Sequence, residues 1–201
     1  MSVPDANLYA AIDAVATSAG ARAAWIEPGG TTWNFAALRD GAVSQGRALR
    51  AAGVRPGDRV LVQAENSPQF LLLYLGCLHA GAVFVPLNTA YTAAEVRYFA
   101  LDCEPRLMVC DPAKAATLAA VAAECGARLS TLAADGGGSW SETVKASGVT
   151  GGETGTSSAR GEPRAADDLA AIVYTSGTTG RSKGAMLTHA NLESNARSLI
   201  G

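Results

Sequence analysis

The amino-acid sequence predicts an α/β fold with a mostly parallel sheet flanked by helices. Short apolar runs of strand length recur along it: RVLVQA (59–64), AVFVPL (82–87), RLMVCD (106–111) and DLAAIVY (168–174). Segments with helical spacing of apolar residues separate them, and such alternation favours parallel pairing with helical crossovers. Composition agrees. At 48% apolar and 17% charged, the 201 residues belong to a core-forming chain rather than a disordered one.

In chain order, residues 6–20 read as a helix. RAAWIE (22–27) and TTW (31–33) read as strands around the turn Pro28-Gly29-Gly30. Residues 34–53 place Phe35, Leu38, Val43 and Leu49 on one helical face, and Gly53 suits the stop. After strand 59–64, Ser67-Pro68 opens a helix through Leu78, with proline where a missing N–H is tolerated. The run FLLLYLGCLHAGAVFVPL (70–87) approaches the length of a membrane span. Gly76, His79, Gly81 and Pro86 punctuate it, so it reads as a buried helix turning at Ala80-Gly81 into a buried strand.

Thr92, followed three residues later by Glu95, predicts a capping box for a helix over 93–102. Strand 106–111, a helix within 112–127 and strand 128–133 follow. Residues 135–163, DGGGSWSETVKASGVTGGETGTSSARGEP, read as a long surface loop able to bury little, with one helical turn near Trp140. Structure resumes with DLAAIVY, a glycine-rich loop, the strand GAMLT and a final helix capped by Thr188.

The net charge of −2 offers no electrostatic footprint for nucleic acid or an anionic membrane. Cys77, Cys103, Cys110 and Cys125 form no C-x-x-C pair, and His79 and His189 are the only histidines, which argues against a zinc site. The cysteines read as small buried hydrophobes of a cytoplasmic protein, and the N-terminal residues lack the pattern of a signal peptide. His79 reads as a satisfied core residue, Asp167-Asp168 as a solvated turn, and Tyr98 as helix-face packing. His189 is balanced between a structural first-turn residue and one near a nucleotide.

The chemistry concentrates in YTSGTTGRSKGAM (174–186), where nine of thirteen residues are Gly, Ser, Thr or Lys. Glycines let backbone amides converge on an anion, the hydroxyls of Ser176, Thr178 and Thr179 add donors, and Lys183 adds a mobile charge. Lysine is scarce, with Lys114 and Lys145 the only others, so Lys183 stands out from ordinary surface charge. Together these groups suit a polyphosphate. No Gly-Lys dipeptide occurs, which excludes a Walker loop, and the segment leads into a strand rather than the helix that a dinucleotide fingerprint needs.

YTSGTTGRSKGAMLTHANL (174–192) resembles the signature loop of the adenylate-forming enzymes, the superfamily of acyl-CoA synthetases, luciferases and peptide-synthetase adenylation domains. TTWNFAAL (31–38) and residues 75–105 are similar to further family elements, in the family's order. Ser182 stands where the pattern usually has proline, and FAAL lacks the pattern's glutamate. LNTAYT (87–92), CDPAK (110–114) and residues 167–187 are most similar to malonyl-CoA synthetases.

The resemblance implies the N-terminal part of that family's large domain, with residues 1–201 a partial AMP-binding domain that looks truncated. It implies an AMP-forming ligase of fatty acid metabolism that uses ATP, Mg2+ and CoA to activate malonate or a similar small carboxylic acid. Thr175, Ser176, Gly177, Thr178, Thr179, Gly180 and Lys183 become the nucleotide-phosphate loop, with Lys183 the catalytic charge. It also brings Thr175 near magnesium, while no metal ligand set is identified. Mg2+ and CoA would be held largely by parts of the family beyond residue 201, which leaves this chain inactive alone and prone to self-association. A non-catalytic nucleotide-binding fragment and an adenylation domain that loads a carrier protein stay open as alternatives.

Overall fold

A computed structural model describes residues 5–27, 29–148, 160–175 and 182–200. Among the described residues eight strands are formed. β1 (Ala23–Ile26) and β2 (Thr32–Asn34) make a small antiparallel ladder on their own. The main sheet contains β3 (Arg59–Gln63), β4 (Val83–Pro86), β5 (Leu107–Cys110), β6 (Arg128–Thr131), β7 (Leu169–Thr175) and β8 (Lys183–Thr188). Their order is β6-β5-β3-β4-β7-β8, with every neighbouring pair parallel except the antiparallel β7–β8. The mostly parallel α/β sheet predicted from sequence is therefore observed, with an antiparallel strand at one edge.

Strand periodicity assigns the two faces. Val60, Val62, Phe84, Leu107 and Val109 meet α2 (Phe35–Ala51) and α3 (Pro68–Ala80). Leu61, Val83, Val85, Met108, Cys110, Ile172 and Tyr174 meet α4 (Ala93–Cys103) and α5 (Ala115–Glu124). α1 (Leu8–Ser18) adds an outer layer over α2 and α3, where Tyr9 is fully buried with Leu38 and Leu78. Successive strand residues point to opposite faces, so β3 and β5 are apolar on both sides, as a sheet covered by helices on both faces requires.

α2 and α3 approach closely because glycine lies at their contact. A Cβ added at Gly46 would overlap the His79 imidazole, and one at Gly76 would overlap Cβ of Gln45. α3 begins with Ser67 accepting from the Phe70 N–H at 3.2 Å, with Pro68 at its start, and stops at Gly81, whose φ of 71° only glycine adopts at ease. The run 70–87 is thus a buried helix turning into a strand. Among the described residues no helix is long and apolar enough to cross a membrane. The capping box of α4 is present, with the Thr92 N–H donating to Glu95 Oε2 at 2.8 Å and the Glu95 N–H to Thr92 Oγ1 at 3.4 Å.

One expectation is corrected. Residues 135–163 contain an eight-residue helix, α6 (Ser139–Ala146), rather than a single turn, and Trp140 is wholly buried in the core with Leu49 and Leu132. Its indole N–H donates to Gln45 Oε1 at 2.7 Å, which pins α6 to α2. Further on, Asn7 Nδ2 donates to the Glu162 carbonyl at 2.7 Å and the Glu162 N–H to the His79 carbonyl at 2.8 Å. A flanking polar sequence hid an anchored element. Residues 149–159 lie outside the described residues.

Candidate functional site

β7 runs parallel to β4, so its end at Thr175 reaches the same edge of the sheet as the ends of β3 and β4. In open α/β sheets this carboxyl edge is where ligands bind. β8 returns from that edge in antiparallel register, which pairs Tyr174 with Gly184 and Thr175 with Lys183. The two ends of the glycine-rich segment are therefore cross-strand partners, both exposed at the mouth of the hairpin. Ser176, Gly177, Thr178, Thr179 and Gly180 lie outside the described residues.

A cleft of about 480 Å³ opens beside this mouth, lined by Glu65 and Asn66 after β3, Asn88 and Tyr91 after β4, and Val173 and Tyr174 of β7. Its rim is tied down from below. Gln63, buried at the end of β3, donates to the carbonyls of Asn88 at 3.0 Å and Tyr91 at 2.9 Å. The Lys114 ammonium donates to the Thr89 carbonyl. These contacts hold the β4–α4 connection against the strand ends.

Tyr174 anchors the β7 stem to α4. Its ring packs on Phe99 with centroids 4.5 Å apart, and its hydroxyl donates to Asp102 Oδ2 at 2.5 Å. Burial, and then the bond to the Asp102 carboxylate, push its phenol well above the ordinary tyrosine range. It therefore stays protonated and acts as a donor. On the other stem, the Tyr98 hydroxyl donates to the Ser182 carbonyl at 3.0 Å.

A family model described as AMP-binding enzyme matches residues 12–200. The chain belongs to the AMP-binding enzyme family. The ATP-bound structure of MatB from Rhodopseudomonas palustris is similar at 42% identity and a TM-score of 0.87, covering 98% of this chain and 37% of that one. The apo form of the same protein gives a TM-score of 0.86 over the same shares. A feruloyl-CoA synthase from Amycolatopsis sp is 36% identical over 175 residues, 87% of this chain and 32% of that protein. The chain thus spans about a third of the length of these AMP-binding relatives.

The remaining residues singled out from sequence have structural places in this AMP-binding chain. His189 is buried, and its Nδ1 accepts the Leu8 N–H at 3.1 Å, so it joins α7 (His189–Ile200) to α1. Thr188 and Asn191 cap α7 reciprocally at 3.1 Å. His79 is buried edge-on to Tyr9, with ring centroids 4.9 Å apart. Asp168 accepts from the Ala165 N–H at 2.8 Å and faces Arg164 Nε at 3.1 Å, and its carbonyl accepts from the His189 N–H. Among the described residues no group of three or more His, Cys, Asp or Glu is placed to hold a metal ion. Cys77, Cys103 and Cys110 are buried free thiols, with burial pushing Cys110 up to about 11.

From the sequence alone Asp102 has no place in the site, and Tyr98 reads only as helix packing. Their four-residue spacing on α4 was the available signal, but nothing in it says what that face touches.

Proposed function

We propose that this chain carries the ATP phosphate-binding element of an AMP-forming acyl-CoA synthetase, similar to malonyl-CoA synthetases. The reading rests on one placement above all: Thr175 and Lys183 are paired, exposed stem residues at the carboxyl edge of a mostly parallel sheet. The 42% identity to a relative solved with ATP bound supports it.

In this reading Lys183 offers its ammonium to the outer phosphates as diphosphate leaves, contributing electrostatic stabilisation that is larger in the transition state than in the ground state. The hydroxyls of Thr175, Ser176, Thr178 and Thr179 donate to phosphate oxygens, and Gly177 and Gly180 let the backbone approach them. Thr175 and Lys183, exposed cross-strand partners, offer a hydroxyl and an ammonium, a donor set that fits a phosphate. Mg2+ would neutralise phosphate charge, with Thr175 the residue here that the resemblance brings near it. The CoA thiol would displace AMP from the activated acid, and no residue is assigned to that step. Malonate as the acid rests on LNTAYT, CDPAK and residues 167–187.

The test is AMP release by a protein in which this chain is joined to the rest of the length its relatives have, with ATP, CoA and malonate, acetate or a longer acid. Malonate is expected to be the preferred acid. Lys183→Ala is expected to lower kcat by about 10²–10³-fold, the usual effect of removing one preorganised donor. AMP release that needs a carrier protein instead of CoA would move the assignment to carrier loading. ATP binding without turnover on any acid would leave a nucleotide-binding module. The 201 residues alone are expected to show no acid-dependent ATP–diphosphate exchange.

A further inference from the structure

We propose that Tyr98 and Asp102 of α4 are positioning residues that fix the two stems of the phosphate loop from outside the hairpin. The inference rests on the reading of that loop given above. Tyr98 and Asp102 are four residues apart, so they share one face of the helix. Tyr98 grips Ser182 on the β8 side through a 3.0 Å bond to its carbonyl, and Asp102 grips Tyr174 on the β7 side through a 2.5 Å bond from its hydroxyl. One rigid element thus holds both stems.

The surroundings favour a clamp over two incidental surface bonds. β8 is the edge strand among the described residues, bonded through its ladder only to β7. Its register at the mouth therefore depends on that single partner unless something else holds it. α4 is firmly seated by its capping box and by the buried side chains Val96, Phe99, Ala100 and Cys103. Tyr174 is fixed on its other side too. Gly184 faces it across the ladder, and a Cβ there would approach the Tyr174 ring to 3.3 Å and Ile172 Cγ2 to 2.9 Å. The tyrosine therefore lies between Phe99 and a strand with no side chain at that point.

Ser182 gives the clamp a reason. The pattern that this loop resembles usually has proline there, whose ring would fix φ. Serine leaves that torsion free, and here the Tyr98 hydroxyl restrains the same residue through its carbonyl instead. The consequence for chemistry is that Thr175 and Lys183 meet the nucleotide in a set register rather than an average over several.

Backbone hydrogen exchange, alongside the Mg·ATP affinity of the protein in which this chain is joined to the rest of the length its relatives have, tests this with Tyr98→Phe and Asp102→Ala. Each is expected to speed exchange of the amides at 174–175 and 182–184 about five- to tenfold, the effect of losing one hydrogen bond, while β3, β4 and β5 keep their protection. The Mg·ATP Kd is expected to rise by a similar factor. Unchanged stem exchange in both variants would overturn the clamp, whatever the ATP result. Faster exchange spread evenly over the sheet would overturn it as well, since that is general destabilisation. Faster stem exchange with an unchanged Kd would show that the bonds do not position the loop for the nucleotide. If the unaltered longer protein binds no Mg·ATP, the functional reading fails, and the stem amides still decide whether α4 holds the hairpin.

Discussion

Gly46 occupies the middle of α2, where alanine would ordinarily favour the helix by about 1 kcal/mol. Here the imidazole of His79 fills the space a Cβ would need. Gly46→Ala is therefore expected to destabilise the fold by about 1–3 kcal/mol, the usual range for overpacking, read as a lower urea midpoint with an unchanged slope. His189 sets a pH dependence. Burial, and then the nearby Arg164, hold its pKa below the ordinary histidine value. The folded chain thus binds fewer protons at this site than the unfolded chain. The contribution is complete above about pH 6.5, the unfolded pKa, and is lost as pH falls below it. The melting temperature is expected to drop between pH 7 and pH 5, and to drop less in His189→Gln. Equal slopes for the two proteins would show that His189 is not the titrating group.

At the scale of elements, α6 shows how much one anchor does. Apart from Ala146 its exposed residues are polar, and its only wholly buried side chain is Trp140. Trp140→Ala removes a large core side chain and leaves Gln45 Oε1 without its donor, so a loss of about 3–5 kcal/mol is expected in equilibrium unfolding. Trp140→Phe keeps most of the volume and should cost less. A loss under 1 kcal/mol for the alanine variant would mean that α6 is a loosely attached loop after all. The helices announced by caps and by apolar spacing, α2, α3 and α4, needed no such anchor to be read from sequence, because their signals lie within their own residues. The signal for α6 lies in Gln45, 95 residues away.

For the whole molecule, the open side of the sheet is the notable surface. β8 lies at the edge among the described residues, and Met186 is 66% exposed on it. Nearby, an apolar groove of about 460 Å³ is lined by Trp25, Phe70, Tyr74, Val173, Leu187 and Leu192. Unpaired edges and apolar patches favour association. The 201-residue chain is expected to self-associate at micromolar concentration in sedimentation velocity, and Met186→Lys is expected to shift it towards monomer. A monomer that does not change with concentration would refute this.

The sequence by itself determined the element order apart from α6, the parallel character of the sheet and the family. Those signals are local: strand-length apolar runs, caps, and the hydroxyl-rich segment before Lys183. Three things were decided only by tertiary structure. The pairing of Thr175 with Lys183 depends on how β7 and β8 meet. The burial of Trp140 depends on where α6 packs against α2 and β6. The grip of Tyr98 and Asp102 on the stems depends on where α4 settles against the sheet. Each is a contact between residues far apart in the chain, and periodicity along a sequence carries no information about which distant surfaces will share a face.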